Sequence, residues 1–137
     1  MPTLIRLTVM IFAVAVLAGC AATAPISPQD AATEAKLLQF AGPPIDSFTY
    51  LGHYDGIRTL GERQVAFFTS INDGYLIRVR PGCRNLRFVN RFGLTLSDRT
   101  VYRAFDYVLA DEQRCPIESI RHIDYGAFKR ARGDGTS

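Results

Sequence analysis

Hydrophobic positions along this chain fall into three regimes. The first is a near-continuous apolar run over residues 7–17, with Arg6 in front of it and the small residues Ala18-Gly19 behind. About a dozen apolar residues fall short of the roughly 20 that a membrane-spanning helix needs; charge, apolar run and small residues in that order are the layout of a secretory signal. The second regime is helical. Ser27-Pro28-Gln29-Asp30 reads as a helix start: serine caps exposed amides, proline suits the first helical position, and an acid three residues after the cap meets the positive end of the helix dipole. Good helix formers fill residues 31–40, and Gly42-Pro43-Pro44 stops them. Leu37, Leu38 and Phe40 sit together at the end, so this helix is expected to pack by its last turn alone.

From Ile45 the period changes to two. Phe48, Tyr50, Gly52 and Tyr54 alternate with Thr49, Leu51 and His53, which predicts a strand with an aromatic face. Asp55-Gly56 marks a turn, and residues 59–62 read as loop. Residues 64–70 form a second strand, apolar on both faces through Val65, Ala66, Phe67 and Phe68 and therefore central. Asn72-Asp73-Gly74 is the strongest hairpin signal, since these residues tolerate positive φ. Tyr75, Ile77 and Val79 then line one face of a third strand, with Arg78 and Arg80 on the other. Residues 83–92 fit two patterns: Leu86, Phe88 and Phe92 suit a strand, whereas Arg84, Arg87 and Arg91 have helical spacing. Gly93 as a helix stop favours an irregular or short helical connection. Residues 100–110 read as one strand and residues 115–123 as the last. Residues 125–132 have room for a helical turn or two, and residues 133–137 are expected to fray.

One helix followed by about five short strands at hairpin-like intervals argues for a mainly β fold, with a minor α+β character. The expected packing is a small antiparallel β-sandwich or partly open barrel, with an N-terminal helix and a short C-terminal one. The organisation follows: a signal peptide at 1–19, a tether and short helix at 20–44, a single β domain at 45–130 and a tail at 131–137.

Composition changes this picture little. Removing the first nineteen of 137 residues leaves 118, enough for one small domain. Hydrophobic content of 47% excludes a disordered chain, and a net charge of +3 gives no cause to expect nucleic acid as a partner. The three cysteines carry more. Leu17-Ala18-Gly19-Cys20 resembles the lipobox of bacterial lipoproteins. That resemblance implies a diacylglycerylated Cys20 thiol, cleavage before it and acylation of the new amine, so that palmitate-like chains hold the protein on a membrane. Ala21 and Ala22 follow, with no aspartate at the second mature position. By resemblance to Gram-negative lipoproteins this favours the outer membrane, facing the periplasm, over the inner one. With Cys20 lipidated, Cys83 and Cys115 remain as a pair in an oxidising compartment and are read as a disulfide. No Cys-x-x-Cys spacing marks a redox centre, and two cysteines with two histidines lack zinc-finger spacing.

Five short segments also stand in an order shared with one group: Phe48-Thr49-Tyr50, Tyr75-Leu76-Ile77, Cys83-Arg84-Asn85-Leu86, Phe105-Asp106-Tyr107-Val108 and Cys115-Pro116-Ile117-Glu118-Ser119-Ile120. Over residues 45–123 the chain resembles an uncharacterised family of small proteobacterial lipoproteins, a domain of unknown function. The resemblance implies no activity, and it is consistent with pairing Cys83 to Cys115.

Three constellations carry candidate chemistry. His53-Tyr54-Asp55 and His122-Ile123-Asp124 each place a histidine and an aspartate on one strand face. Brought together, His53, Asp55, His122 and Asp124 would supply zinc-type ligands. Both pairs lie at strand ends, where polar residues are ordinary. The second constellation is Arg78, Arg80, Arg84, Arg87 and Arg91, with no acidic residue between Asp73 and Asp98. Guanidinium forks suit phosphate or carboxylate, such as lipopolysaccharide, peptidoglycan or an acidic protein. Neutralisation across the sheet by Asp98, Asp106, Asp111, Glu112 or Glu118 is the plainer account. The third is Tyr50, Tyr54 and Tyr75, which belong either to the core or to an exposed patch for a glycan or partner. No nucleophile elbow and no phosphate-cradling glycine loop occurs. The expectation is a lipid-anchored, non-enzymatic envelope module without cofactor; the rival is a metal-dependent envelope enzyme built on the two His–Asp pairs.

Overall fold

A computed structural model of the protein describes residues 28–133. The expected signal segment, Cys20 and its tether, and the tail beyond 133 lie outside the described residues. Helix α1 (Pro28–Leu38) starts with proline in the first turn and is followed by β1 (Ala41–Ile45). The Gly-Pro-Pro stop is thus itself a strand, pairing only with the last strand. Prolines are tolerated there because β1 has a free edge and a bulge between Ala41 and Pro44. Arg121 replaces part of the missing ladder, donating to the carbonyls of Gly42 (2.7 Å) and Ala41 (3.0 Å).

Then come β2 (Ser47–Thr49), β3 (Gly56–Thr59), β4 (Gln64–Phe68), β5 (Asp73–Val79), β6 (Phe92–Leu94), β7 (Thr100–Tyr102), β8 (Tyr107–Ala110), β9 (Gln113–Asp124) and helix α2 (Tyr125–Arg132). The path β3-β4-β5-β9-β8-β6, with β1 beside β9, makes a seven-stranded antiparallel sheet; β2 and β7 form a separate ribbon. Nine strands replace the expected five. The sheet curls into a half-barrel, which bears out the mainly β class and is nearer the open barrel than the sandwich.

Sheet faces follow the alternation of β4. Val65 and Phe67 face the hollow, with Ile77, Val79, Val108 and Ile120, and the β2–β7 ribbon lids them with Phe48 and Val101. Ala66 and Phe68 face the other way with Leu76 and Ile123, under Leu37 of α1 and Phe128 of α2. Strand β4 is therefore apolar on both faces, as its sequence requires. Helix α1 packs mainly by its last turn, with Leu37 fully buried. Its remaining tie is Glu34, which meets Arg87 at 3.5 Å.

Several boundaries differ from the expectation. The first strand stops at Thr49, and residues 50–55 are irregular. Residues 56–59 form β3 instead, pairing with β4 along its whole length. Residues 100–110 split into β7 and β8 around Asp106, which is 4% exposed. Its carboxylate accepts from Thr95 Oγ1 (2.8 Å) and the Tyr102 amide (2.8 Å), closing the turn from inside. Residues 86–88 form a 3-10 turn capped by Asn85, as the helical connection anticipated.

The hairpin between β4 and β5 turns one step earlier than the Asn-Asp-Gly signal. Ser70 Oγ accepts from the amides of Asn72 (3.3 Å) and Asp73 (3.1 Å), and Gly74 already lies in β5 opposite Phe68. Gly74 is required for space, not for positive φ. A Cβ there would lie 2.8 Å from the Phe68 ring and 3.2 Å from the Phe67 carbonyl. Gly74→Val should cost about 1–3 kcal/mol through overpacking, read from chemical denaturation; a change within experimental error would show that the Phe68 ring moves aside freely.

Candidate functional site

The half-barrel brings the two end strands of its main path, β3 and β6, to opposite sides of one opening. Phe67 of β4 is fully buried behind two of the residues at this opening, with its ring edge-on to Tyr54 (5.8 Å between centroids) and to Phe92 (6.5 Å). Two hydrogen bonds pin the opening. Near one end the Leu86 amide donates to the Glu62 carbonyl at 2.8 Å; near the other, Tyr54 Oη donates to the Phe92 carbonyl at 3.3 Å. Between them lies a cleft of about 530 Å³ bordered by Tyr54, Ile57, Thr59, Val89, Arg91 and Phe92. A second cleft of about 620 Å³ adjoins it, bordered by Arg84, Asn90, Arg91, Asp111, Glu112 and Gln113. Arg91 belongs to both.

The segment carrying Arg91 is held against the β8–β9 hairpin. Cys83 and Cys115 form a disulfide, with Cα atoms 5.8 Å apart. The Arg84 amide donates to Gln113 Oε1 (2.9 Å), and the Asp111 carboxylate accepts from the amides of Asn90 (3.2 Å) and Arg91 (3.0 Å). Asp111 opens the two-residue hairpin turn at φ +52°, a conformation aspartate tolerates better than most residues. Nothing in the sequence singled out Asp111 or Tyr54 for these roles; an Asp-Glu pair between two strands carried the turn signal but not its contacts.

Three of the five arginines are ion-paired. Arg78 meets Glu118 at 3.8 Å, Arg84 meets Asp111 at 4.0 Å and Arg87 meets Glu34 on α1. Only Glu118 and Asp111 belong to the set expected to neutralise them. Arg80 and Arg91 have no carboxylate partner among the described residues.

The His–Asp pairs are taken apart by their register. Asp124 caps α2 by accepting from the Ala127 amide at 2.7 Å. His122 instead faces Asp73 across the β5–β9 ladder, with Nε2 and Oδ1 2.8 Å apart. His53 and Asp55 are exposed in the irregular segment 50–55. Among the described residues, no group of three or more histidine, cysteine, aspartate or glutamate side chains is placed to hold a metal.

The tyrosine patch is likewise dispersed. Tyr50 is buried and Tyr75 is stacked on Phe48, with ring centroids 3.9 Å apart. Burial, and then the neighbouring Tyr54, pushes the Tyr50 phenol above its ordinary pKa; burial, and then Asp73, does the same for Tyr75. Each of these is a core ring with its hydroxyl toward the surface. Only Tyr54 reaches the cleft.

No curated protein and no solved structure matches the chain. A family of unknown function does, over residues 3–137, so the protein belongs to that uncharacterised family (DUF6491).

Proposed function

We propose that this protein is a lipid-anchored, non-enzymatic module of the bacterial envelope, displayed on the periplasmic side of the outer membrane, whose domain binds an anionic partner at the clefts around Arg91. The anchor rests on Leu17-Ala18-Gly19-Cys20 behind the apolar run. Among the described residues no helix is long and apolar enough to cross a membrane; the attachment proposed is through Cys20. Two or more acyl chains make such attachment stable.

One observation carries the binding role: Arg91 is exposed, belongs to two adjoining clefts and has no carboxylate within ion-pair distance among the described residues. A guanidinium so placed, with Tyr54, Ile57 and Phe92 beside it, offers a charged fork and an apolar wall. The metal-enzyme alternative loses its geometric basis with His122 on Asp73 and Asp124 in a helix cap.

Two measurements test this reading. Cys20→Ser should abolish incorporation of labelled palmitate and leave the signal segment attached; normal processing at another residue would refute the anchor. The full chain in detergent should bind carboxylate-bearing peptidoglycan fragments, less tightly as salt rises. Arg91→Gln should weaken that binding roughly tenfold, the scale of one charge-assisted hydrogen bond. Salt-independent binding, or binding unchanged by Arg91→Gln, would refute the site.

A further inference from the structure

The cleft lies between two strand edges whose backbone groups are unused. Bonds from the Leu60 amide to the Gln64 carbonyl and from the Thr69 amide to the Asp73 carbonyl set the phase of the β3–β4–β5 ladders. Antiparallel bonding alternates, so with the β3–β4 register Gly56 and Arg58 bond to β4, while Ile57 and Thr59 point their amides and carbonyls outward. Across the opening, bonds from the Asp111 amide to the Arg91 carbonyl and from the Thr95 amide to the Tyr107 carbonyl set the phase of β6. Gly93 therefore faces β8, while Phe92 and Leu94 face outward. Of these outward groups only the Phe92 carbonyl has a hydrogen-bond partner among the described residues, Tyr54 Oη.

We propose that the seam accepts an extended acidic segment of a partner protein, added as a strand to the free edge of β3. The proposal rests on the reading of the Arg91 cleft as a binding site and names its partner class. Main-chain pairing supplies affinity in such strand addition, and alternate side chains supply specificity. Here alternate residues of the added strand meet Ile57, Val89 and Phe92. A carboxylate reaches Arg91 from the first cleft, which has no acidic side chain among its bordering residues, whereas the second is bordered by Asp111 and Glu112. The charge also argues against a second copy of this chain. Arg58 is exposed in mid-strand and has no ion pair among the described residues, so antiparallel self-pairing of β3 would bring two like charges together, a common guard on sheet edges. An acidic strand turns the same residue into an attraction.

The probes are capped peptides of about six residues, the common strand length: one alternating valine with glutamate, one alternating valine with lysine, and the glutamate peptide N-methylated at alternate amides. Anisotropy with the full chain in detergent should show binding of the glutamate peptide, about tenfold weaker binding of the lysine peptide, and loss of binding on N-methylation. Thr59→Pro removes an outward donor without breaking the ladder to β4. It should abolish binding of the glutamate peptide. Equal binding of the N-methylated or lysine peptide would overturn strand addition. So would concentration-dependent dimerisation blocked by Thr59→Pro, since the edge would then serve a second copy. Fragments that bind while the glutamate peptide does not would overturn the inference alone and leave the proposed function standing; if neither binds, both fall.

Discussion

Phe67→Ala should destabilise the domain by about 3–5 kcal/mol, the range for truncating a fully buried phenylalanine. The Phe67 side chain is fully buried in β4, between β3 and β5, and its ring meets Tyr54 and Phe92 edge-on. The half-barrel is open on one side, so the atoms lost are not replaced by a neighbouring strand sliding inward; the void adds to the lost transfer energy. The same ring backs Tyr54 and Phe92, which border the cleft, and its loss removes what positions Tyr54 Oη against the Phe92 carbonyl. Phe67→Leu, closer in volume, should cost under about 1.5 kcal/mol. Urea denaturation measures both through the midpoint, with the slope unchanged if unfolding stays two-state. A loss below about 1 kcal/mol for the alanine variant would mean that the ring is not packed as described.

The second large effect concerns the disulfide, and the expected result is asymmetric. Cys83 and Cys115 are 32 residues apart, and opening a loop of that size costs about 3–4 kcal/mol on the entropic view. Either serine variant loses that constraint. Cys115, however, is fully buried in the hollow, whereas Cys83 is partly exposed. A serine hydroxyl at 115 therefore adds a desolvation cost of about 1–3 kcal/mol that the one at 83 escapes. The double variant should match Cys115→Ser to within about 0.5 kcal/mol, because one covalent unit is broken in every case. Equal losses at both positions would show that the hydroxyl at 115 finds a partner, and strictly additive losses would show that the two sulfurs do not act as a unit. The loop 83–91 carries Arg91, so binding at the cleft should weaken alongside stability.

Local chemistry made much of the fold legible. The helix start at Pro28, the two-faced apolar β4, the alternation of Ile77 and Val79 with the exposed Arg78 in β5, the capped turn at 86–88 and the final helix all follow from residues within one turn or one strand of each other. What failed, failed at longer range. Asp106 broke an apparent single strand in two because a carboxylate in an apolar run had to turn inward and collect Thr95 and the Tyr102 amide. Gly42-Pro43-Pro44 became a strand because Arg121, far away in sequence, supplied hydrogen bonds to its carbonyls. The arginine run had a legible charge, but its ion-pair partners did not, since Glu34 lies on another element.

By itself the sequence determined the mainly β class, the helices at both ends of the described residues and the pairing of Cys83 with Cys115. These depend on short-range periodicity, capping and cysteine count, which require no knowledge of what packs where. The tertiary structure alone decided which faces meet. The β5–β9 register slips where Arg78 opposes Ser119 and Val79 opposes Ile117, leaving Glu118 as an extra residue. That bulge returns Ile117 and Ile120 to the same face although strict alternation separates them. It also sets His122 across from Tyr75 and beside Asp73, dissolving the His–Asp pairs read along the chain. The seam is of the same kind. Its edges, β3 and β6, are the ends of a six-strand path and face each other across the cleft only because the sheet twists and curls, a property of all the strands together and not of any one segment.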